Sequence, residues 1–141
     1  MRPWTNIISE DEDKRYEAAG FGRPGSIGKR PALLIIDVQY RTVGRERAPY
    51  WEAIKQYPTA CGEDGWKAVD HIVPLLTEFR RLGLPVLYPH VARKNVDTDS
   101  GRLAEKVPSI MTIDDAGYNF VEEVAPVAGD VLLPKKHPSA F

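Results

Sequence analysis

The sequence has one cysteine, no strong excess of charge and no long apolar run. A single cysteine, Cys61, excludes an internal disulfide, so cysteine usage gives no evidence for an oxidising compartment. Nineteen basic residues against twenty acidic residues give a formal net charge of -1. Because no global field attracts the chain to nucleic acid or to an anionic membrane, we expect neither as a partner.

No apolar stretch approaches the roughly 20 residues that span a bilayer. The first residues, Met1 to Asn6, lack the apolar segment of a secretory signal. The sequence therefore predicts a cytoplasmic protein. Its 141 residues, 43% hydrophobic and 28% charged, are typical of one soluble domain of modest size.

The three histidines, His71, His90 and His137, are scattered along the chain. They do not cluster at the spacing of metal ligands, so we expect surface or packing roles for them. The glycine-rich connector at 21–28 lacks the strand-to-helix pattern that would cradle a phosphate. The sequence therefore predicts neither a metal nor a nucleotide site.

The clearest local pattern is an apolar run from Leu33 to Ile36 that ends in the carboxylate of Asp37. The run does not alternate with polar residues, which is typical of a central parallel strand covered on both faces, although a buried helical segment would give the same pattern. An Asp at the end of a parallel strand would lie by the crevice where open α/β sheets bind ligands. Near the core, such a carboxylate would need a partner.

Residues 1–30 are predicted to form an arm that precedes the main domain at 31–141. Ser9 and Glu12 fit a capping box, and Gly20 is well placed to end a short polar helix in the left-handed conformation. Aromatic residues near this helix could hold the arm on the domain or on a neighbouring subunit. A frayed terminus is the alternative.

The main domain alternates between loops and regular elements. After the first strand comes a long excursion at 41–65, of a kind that often walls a pocket or covers a subunit contact. Apolar residues then recur every three or four positions over 66–82, which predicts a helix with one apolar stripe that ends at Gly83. A strand at 84–91 completes a β-α-β unit. A second loop at 92–119 and a short strand at 131–133 follow.

The last predicted strand leads into a basic tail that begins with Lys135 and Lys136. A carboxylate and an ammonium at neighbouring strand ends could lower the pKa of a nearby thiol, take up its proton or stabilise charge on a reacting carbonyl. On residue types alone the signal is weak. An Asp such as Asp37 is more often a cap or turn residue, and such lysines are more often solvated charges.

Both strand ends lie within longer strings that resemble a known superfamily. The segment from Pro31 to Gln39 is similar to the first-strand signature of the isochorismatase-like cysteine hydrolases. The segment from Gly129 to Phe141 resembles their lysine strand with its Ser-Ala-Phe tail. Within the superfamily, the segments at 16–23 and 61–66 resemble the N-carbamoylsarcosine amidohydrolase branch.

The resemblance implies an α/β fold, a three-layer doubly wound parallel sheet, with this chain covering its first half. It implies that Asp37 is the general base of a Cys-Asp-Lys triad and that Lys135 holds the thiolate and orients the base. The implied reaction is hydrolysis of a C–N bond in a small amide or ureido substrate, with release of ammonia and no cofactor. Gln39, Tyr40 and Arg93 near strand ends are candidate substrate-binding residues, although ordinary loop polarity explains them equally well.

The resemblance also implies that the cysteine of the triad follows the lysine strand, in a part of the fold beyond Phe141. Cys61 matches the excursion instead and is expected to be structural, with an exposed and reactive Cys61 as the alternative. We therefore expect a homo-oligomer whose remaining strands and cysteine come from another chain or segment, and an inactive 141-residue chain alone. Zinc is not implied, because the region after the first strand has no histidine, unlike the nicotinamidase branch.

Two other functions stay open at this point. One is an isochorismatase-type hydrolase of vinyl ethers, which would release pyruvate instead of ammonia. The other is a non-catalytic or truncated subunit that binds a partner chain through an open sheet edge.

Overall fold

Three parallel strands form the sheet of the protein. A computed structural model describes residues 7–26 and 28–139, in which the strands are β1 (Leu33–Leu34), β2 (Val86–Val91) and β3 (Val131–Lys135). Their order in the sheet is β1-β2-β3, and both pairings are parallel. The α/β class predicted from the sequence is thus confirmed.

Helices and short turns occupy the segments between the strands. The long helix α4 (Glu63–Arg81) joins β1 to β2 and completes the predicted β-α-β unit. The other helices are α1 (Glu10–Ala18), α2 (Tyr40–Val43), α3 (Tyr50–Gln56), α5 (Leu103–Lys106) and α6 (Pro108–Met111), and two 3-10 turns span Asp115–Tyr118 and Glu122–Val124. In the described ranges, no helix is long and apolar enough to cross a membrane.

The main core lies between α4 and one face of the sheet. The apolar stripe of α4 follows the predicted spacing and buries Trp66, Val69 and Leu76. These side chains belong to one cluster with Ile35, directly after β1, and Tyr88 on β2. Burial of each large apolar side chain stabilises the fold by about 1.5–3 kcal/mol, so this cluster fixes the position of α4 on the sheet.

The strand β1 differs from the predicted central strand. Leu34 and Ile36 are 40% and 46% exposed, whereas Ile35 between them is 3% exposed. Within the part of the chain that the structure describes, β1 pairs with β2 alone and α4 covers only one of its faces. The prediction of a strand covered on both faces is therefore wrong for these residues, because a second covering layer is not among them.

The strand β3 forms the other edge of the described sheet. It pairs with β2 along its whole length, from Val131 to Lys135. Val131, Leu132 and Leu133 are all exposed, so among the described residues β3 is an uncovered apolar edge strand.

The arm contains the short helix that the sequence predicts. The Ser9 hydroxyl accepts a hydrogen bond from the Glu12 N–H at 3.2 Å. At the other end Gly20 has a φ of +86°, and the Phe21 N–H donates to the Tyr16 carbonyl at 3.0 Å, as in a glycine-terminated helix. No residue of α1 is buried. Residues 1–6 at the start of the arm and the last two residues of the Ser-Ala-Phe tail lie outside the described residues.

Candidate active site

Asp37 lies just beyond β1 in a strained backbone conformation. Its N–H donates to the Pro89 carbonyl at 2.9 Å, so the strand pairing with β2 extends up to this residue. Its φ is +57°, the one positive φ of a described residue other than glycine. The left-handed conformation costs an L-residue about 1–2 kcal/mol, and Asp is among the residues that adopt it most readily. Such strain is concentrated at functional sites.

Lys135, the last residue of β3, forms an ion pair with Asp37. Its Nζ lies 2.8 Å from Asp37 Oδ2, and the two side chains are 10% and 25% exposed. The pairing is not between neighbouring strands, as the sequence suggested, because β2 lies between β1 and β3. The long lysine side chain therefore reaches across the end of β2. Lys135 Nζ also donates to the Pro138 carbonyl at 3.1 Å.

The second carboxylate oxygen of Asp37 has no partner among the described residues. Oδ1 is buried and accepts no hydrogen bond. Buried polar atoms are nearly always hydrogen-bonded, and an unsatisfied one costs about 1–3 kcal/mol. The site therefore holds a carboxylate with one oxygen fixed by Lys135 and the other available to a donor, as a general base requires.

The second loop is tied to the end of β3 next to this pair. Lys136 forms an ion pair with Asp99, and its hydrogen bond is the main reason that the pKa of the Asp99 carboxyl lies below its usual value. The Ala92 N–H donates to the Lys135 carbonyl at 2.9 Å. These contacts hold the 92–119 loop at the same end of the sheet as Asp37.

Gln39 occupies a structural position. It is fully buried, and its Nε2 donates to the carbonyls of Val91 at 3.1 Å and Tyr118 at 2.6 Å. Its Oε1 accepts from the Val91 N–H at 2.9 Å. The amide thus links the ends of β1 and β2 to the second loop. A contact of Gln39 with substrate stays a prediction, and these bonds give the residue a different role.

Tyr40 and Arg93 are less constrained. The Tyr40 ring packs against the main core and against a second buried cluster, and its hydroxyl accepts weakly from the Glu122 N–H at 3.4 Å. The second cluster consists of Ala53, Tyr57, Ala60 and Ile113. Arg93 follows β2 and donates to the Ile113 carbonyl at 2.9 Å and to Asp115 at 2.6 Å. Its side chain is 47% exposed, so a ligand can reach it. Their binding roles stay predictions.

A second arginine, Arg41, was not among the residues predicted for the site. It lies on α2 and is 6% exposed. Its Cζ lies 4.8 Å from the centroid of the Tyr118 ring, and the Cζ of Arg93 lies 4.9 Å from the same centroid. The signal in the sequence was an Arg between the apolar residues Tyr40 and Val43, shortly after Asp37. The aromatic ring that joins the two arginines is distant in sequence.

The excursion and the second loop are fastened together by a polar cluster. Arg45 donates to the Tyr57 hydroxyl at 2.8 Å and to Asp114 at 2.9 Å, and Tyr57 donates to Asp114 at 2.9 Å. Burial raises the pKa of the Tyr57 hydroxyl, while the Gly117 N–H holds the pKa of the Asp114 carboxyl below its usual value. Every member has a partner, so this cluster serves as a clamp for the two loops.

Cys61 lies where the excursion returns to start α4. Its N–H donates to the Thr42 carbonyl at 2.8 Å, and the Gly62 N–H donates to the Val43 carbonyl at 2.9 Å, which fixes this segment on α2. Gly62 has a φ of +62°, and a Cβ there would lie 2.7 Å from the Ala48 carbonyl oxygen, so this turn requires glycine. The thiol itself is exposed. The backbone contacts of Cys61 and Gly62 explain this segment without any reaction of the thiol.

Within residues 7–26 and 28–139, no group of three or more His, Cys, Asp or Glu side chains is arranged to hold a metal ion. His90 packs its ring against Phe120 with centroids 5.1 Å apart, and its Nδ1 is buried without a partner. The chemistry available at the Asp37 end of the sheet is thus a carboxylate held by an ammonium.

Comparison with known proteins assigns the chain to a family. Residues 31–141 match the isochorismatase domain. The chain is 28% identical to the solved N-carbamoylsarcosine amidase of Thermoplasma acidophilum, covering 80% of this chain and 56% of that one with a TM-score of 0.52. A cysteine hydrolase of Pseudomonas syringae pv. phaseolicola shares the fold at 21% identity, with 86% and 55% coverage and a TM-score of 0.64. The comparison with curated proteins gives no match.

The chain spans about half the length of these two solved structures. Its parallel sheet with helices agrees with their fold, and the family match covers both Asp37 and Lys135. The chain therefore belongs to the isochorismatase family of hydrolases.

Proposed function

We propose that this chain is the base-bearing half of a cysteine amidohydrolase that hydrolyses a C–N bond in a small carbamoyl or amide compound and releases ammonia. The observation that carries the proposal is the Asp37–Lys135 pair, with its 2.8 Å contact and the unpartnered Oδ1 of Asp37. The likeness to an N-carbamoylsarcosine amidase supports the choice of substrate class.

The proposed mechanism uses the free oxygen of Asp37. Asp37 takes the proton from a cysteine thiol, and the thiolate attacks the carbonyl carbon of the substrate. The C–N bond breaks, and Asp37 returns the proton to the departing ammonia. Water, deprotonated by Asp37, then cleaves the thioester and regenerates the thiol. Lys135 keeps the carboxylate oriented and stabilises the thiolate.

In this proposal the cysteine comes from residues outside the described ones. The open face at Leu34 and Ile36 and the exposed edge at β3 are the surfaces that a further part of the fold would cover. We call this chain together with the segment that completes its sheet the assembled enzyme. We propose that the assembled enzyme forms a homo-oligomer.

The test is an assay of ammonia release from small ureido acids and amides, by the assembled enzyme and by this chain alone. We expect release by the assembled enzyme, complete loss after treatment with iodoacetamide, and no release by this chain alone. Pyruvate release from a vinyl ether instead would favour the isochorismatase-type reaction. Activity or a stable, monodisperse monomer of this chain alone would contradict the proposal that its fold and site are completed from elsewhere.

A further inference from the structure

The hydrogen-bond ladder between β1 and β2 ends at Asp37. Up to this residue, every second N–H donates to a carbonyl of the β2 segment at 2.9 Å, in the pairs Leu33–Pro85, Ile35–Leu87 and Asp37–Pro89. In a regular parallel ladder, the next two bonds would join Val91 to the Asp37 carbonyl and to the Gln39 N–H. The Gln39 N–H instead donates to the Asp37 carbonyl at 2.9 Å, so the backbone leaves the ladder at the residue with the positive φ.

The side chain of Gln39 replaces the two missing ladder bonds. Its Oε1 accepts from the Val91 N–H at 2.9 Å, and its Nε2 donates to the Val91 carbonyl at 3.1 Å. A carboxamide has the donor and the acceptor of a peptide group, so it pairs with Val91 as the backbone of a strand would. Backbone polar groups in a fold are nearly always paired. Without this amide, Val91 would therefore draw residue 37 back into the extended conformation, in which the Asp37 carbonyl completes the ladder.

The end of the second loop holds the same turn from its other side. Gln39 Nε2 also donates to the Tyr118 carbonyl at 2.6 Å, which uses both N–H groups of the amide. Gln39 forms an antiparallel bridge with Phe120, and the Tyr40 N–H donates to the Asn119 carbonyl at 3.1 Å. The fully buried Gln39 is thus fixed between β2 and the loop.

The conformation of Asp37 decides which face of the sheet its carboxylate reaches. Side chains alternate along a strand, so an extended residue 37 would point to the same face as Ile35, which packs in the core with α4. Tyr88 on β2 packs in the same core, whereas Val91, three residues later, points to the opposite face. Lys135 is in register with Val91 and leaves the sheet from that opposite face. The left-handed turn therefore accounts for the 2.8 Å contact between Asp37 and Lys135.

We propose that Gln39 is a positioning residue for the proposed base. Its amide replaces the ladder bonds that would pull residue 37 into the extended conformation, and it thereby holds the Asp37 carboxylate at Lys135. Gln39 acts through Asp37 and needs no contact with the substrate. The consequence for catalysis rests on the proposed function, whereas the control of the backbone at Asp37 does not.

The structural test is a crystal structure of the assembled enzyme with Gln39→Met, which has a similar volume and none of the three hydrogen bonds of the amide. We expect residue 37 to adopt a negative φ and its carbonyl to accept from the Val91 N–H. The contact between Asp37 and Lys135, now 2.8 Å, should be lost. A positive φ at residue 37 with this contact intact would overturn the inference.

The kinetic test is ammonia release by the same variant. Displacement of a reacting group by about 1 Å costs up to about 100-fold in rate, so Gln39→Met should lower kcat about 10- to 100-fold. The KM should stay within about twofold, because no binding contact is removed. Tyr88→Phe is the control for stability, since it also removes a buried hydrogen bond but on the α4 face of the sheet. Gln56→Met is the control for chemistry, since its amide donates to Glu46 in solvent. Both controls should keep kcat per folded molecule.

The two tests separate this inference from the proposed reaction. If the assembled enzyme hydrolyses no amide or ureido compound, the proposed function fails, and the structure of the Gln39→Met enzyme still decides the inference. A raised KM at constant kcat would indicate that Gln39 contacts the substrate directly, and a kcat no lower than that of Tyr88→Phe would indicate a structural role alone. Either result overturns the inference. Should Gln39→Met fail to assemble, Gln39→Asn gives the same test, because its amide is one methylene too short to bond Val91 and Tyr118 together.

Discussion

Two ion pairs flank β3, and they differ in how fully their carboxylates are bonded. Before the strand, Asp130 Oδ2 accepts from Arg80 at 2.6 Å and from the Val127 N–H at 2.9 Å. Arg80 also donates to the Tyr88 hydroxyl and the Ala125 carbonyl, both at 3.0 Å. At the other end, Asp37 is bonded to Lys135 through one oxygen, and its other oxygen is buried without a partner.

The difference separates a contact that stabilises the fold from one suited to chemistry. The Arg80–Asp130 pair joins α4, the loop before β3 and the central strand. Its own buried atom without a partner is the Arg80 Nε, a donor that cannot accept a proton, and neither residue has a positive φ. The Asp37–Lys135 pair combines a positive φ with an unsatisfied oxygen. Natural sites retain such costs where a group must accept a proton or a ligand, and the fold compensates elsewhere. Four predictions test this contrast, from the largest effect to the smallest.

Asp37→Asn should give the largest effect, a loss of about 10²–10⁴ in the rate of ammonia release by the assembled enzyme. The amide is nearly isosteric and Asn tolerates the left-handed conformation, so the fold should persist. Steady-state kinetics and the melting temperature should be measured on one preparation. If the rate falls only in proportion to the folded fraction, Asp37 is structural, and the Asp37–Lys135 pair does not differ in role from the Arg80–Asp130 pair.

Arg80→Met should have the opposite signature, a loss of about 1–3 kcal/mol in the free energy of unfolding with normal kcat per folded molecule. The change leaves Asp130 buried without its cation, and the penalty is reduced because the Arg80 side chain is 29% exposed. Arg81→Met is the control, since Arg81 pairs with Glu78 in solvent and should cost less than about 1 kcal/mol. Denaturant titration of the assembled enzyme measures both. Equal losses would contradict the structural role of the Arg80 pair.

Tyr88→Phe should cost about 1 kcal/mol, because the Tyr88 hydroxyl donates to the Val124 carbonyl at 2.9 Å and accepts from Arg80. Burial raises the pKa of Tyr88 to about 12. In the unfolded chain the Tyr88 hydroxyl has a pKa near 10. Its contribution to the free energy of unfolding is therefore complete below about pH 10 and decreases as the pH rises towards 12. The stability of the wild type should therefore approach that of Tyr88→Phe over this range. A constant difference would mean that Tyr88 is not held neutral.

Asp37→Gly should give the smallest net effect on stability, a change of less than about 1 kcal/mol in the free energy of unfolding, because two opposing contributions nearly cancel. Glycine removes the left-handed strain and the buried unsatisfied oxygen, but it leaves Lys135, which is 10% exposed, without its carboxylate. Denaturant titration against Asp37→Asn, which keeps a side chain at φ +57°, isolates the backbone contribution. A destabilised Asp37→Gly would show that the ion pair is worth more than the strain costs.

The fold class, the helices α1 and α4 and the strands could be predicted from local sequence patterns, whereas the short helices α2, α5 and α6 were not. The apolar spacing of α4 and the end signals of α1 are properties of neighbouring residues, and both were confirmed. The exposure of one face of β1 could not be predicted. An apolar run indicates that a strand is buried, but it does not indicate which residues cover it or whether they belong to this chain.

Much of the candidate site depends on contacts between residues that are distant in sequence. The strand-end position of Asp37 and Lys135 follows from sequence, but the crossing of β2 by Lys135 depends on strand order. Gln39 was a candidate substrate-binding residue because it lies near a strand end, and the structure bonds it to the backbone of two other segments. Arg41 was missed because its partner in the fold, Tyr118, is recognised only in three dimensions.

The central claim is that Asp37 and Lys135 serve a thiol outside the described residues. The most direct measurement is ammonia release by the assembled enzyme with Cys61→Ser in this chain, before and after treatment with iodoacetamide. We predict a rate equal to that of the wild type before treatment and none after it, because the nucleophile is a different cysteine. An inactive Cys61→Ser enzyme with normal stability would contradict the claim and assign the nucleophile to the exposed Cys61.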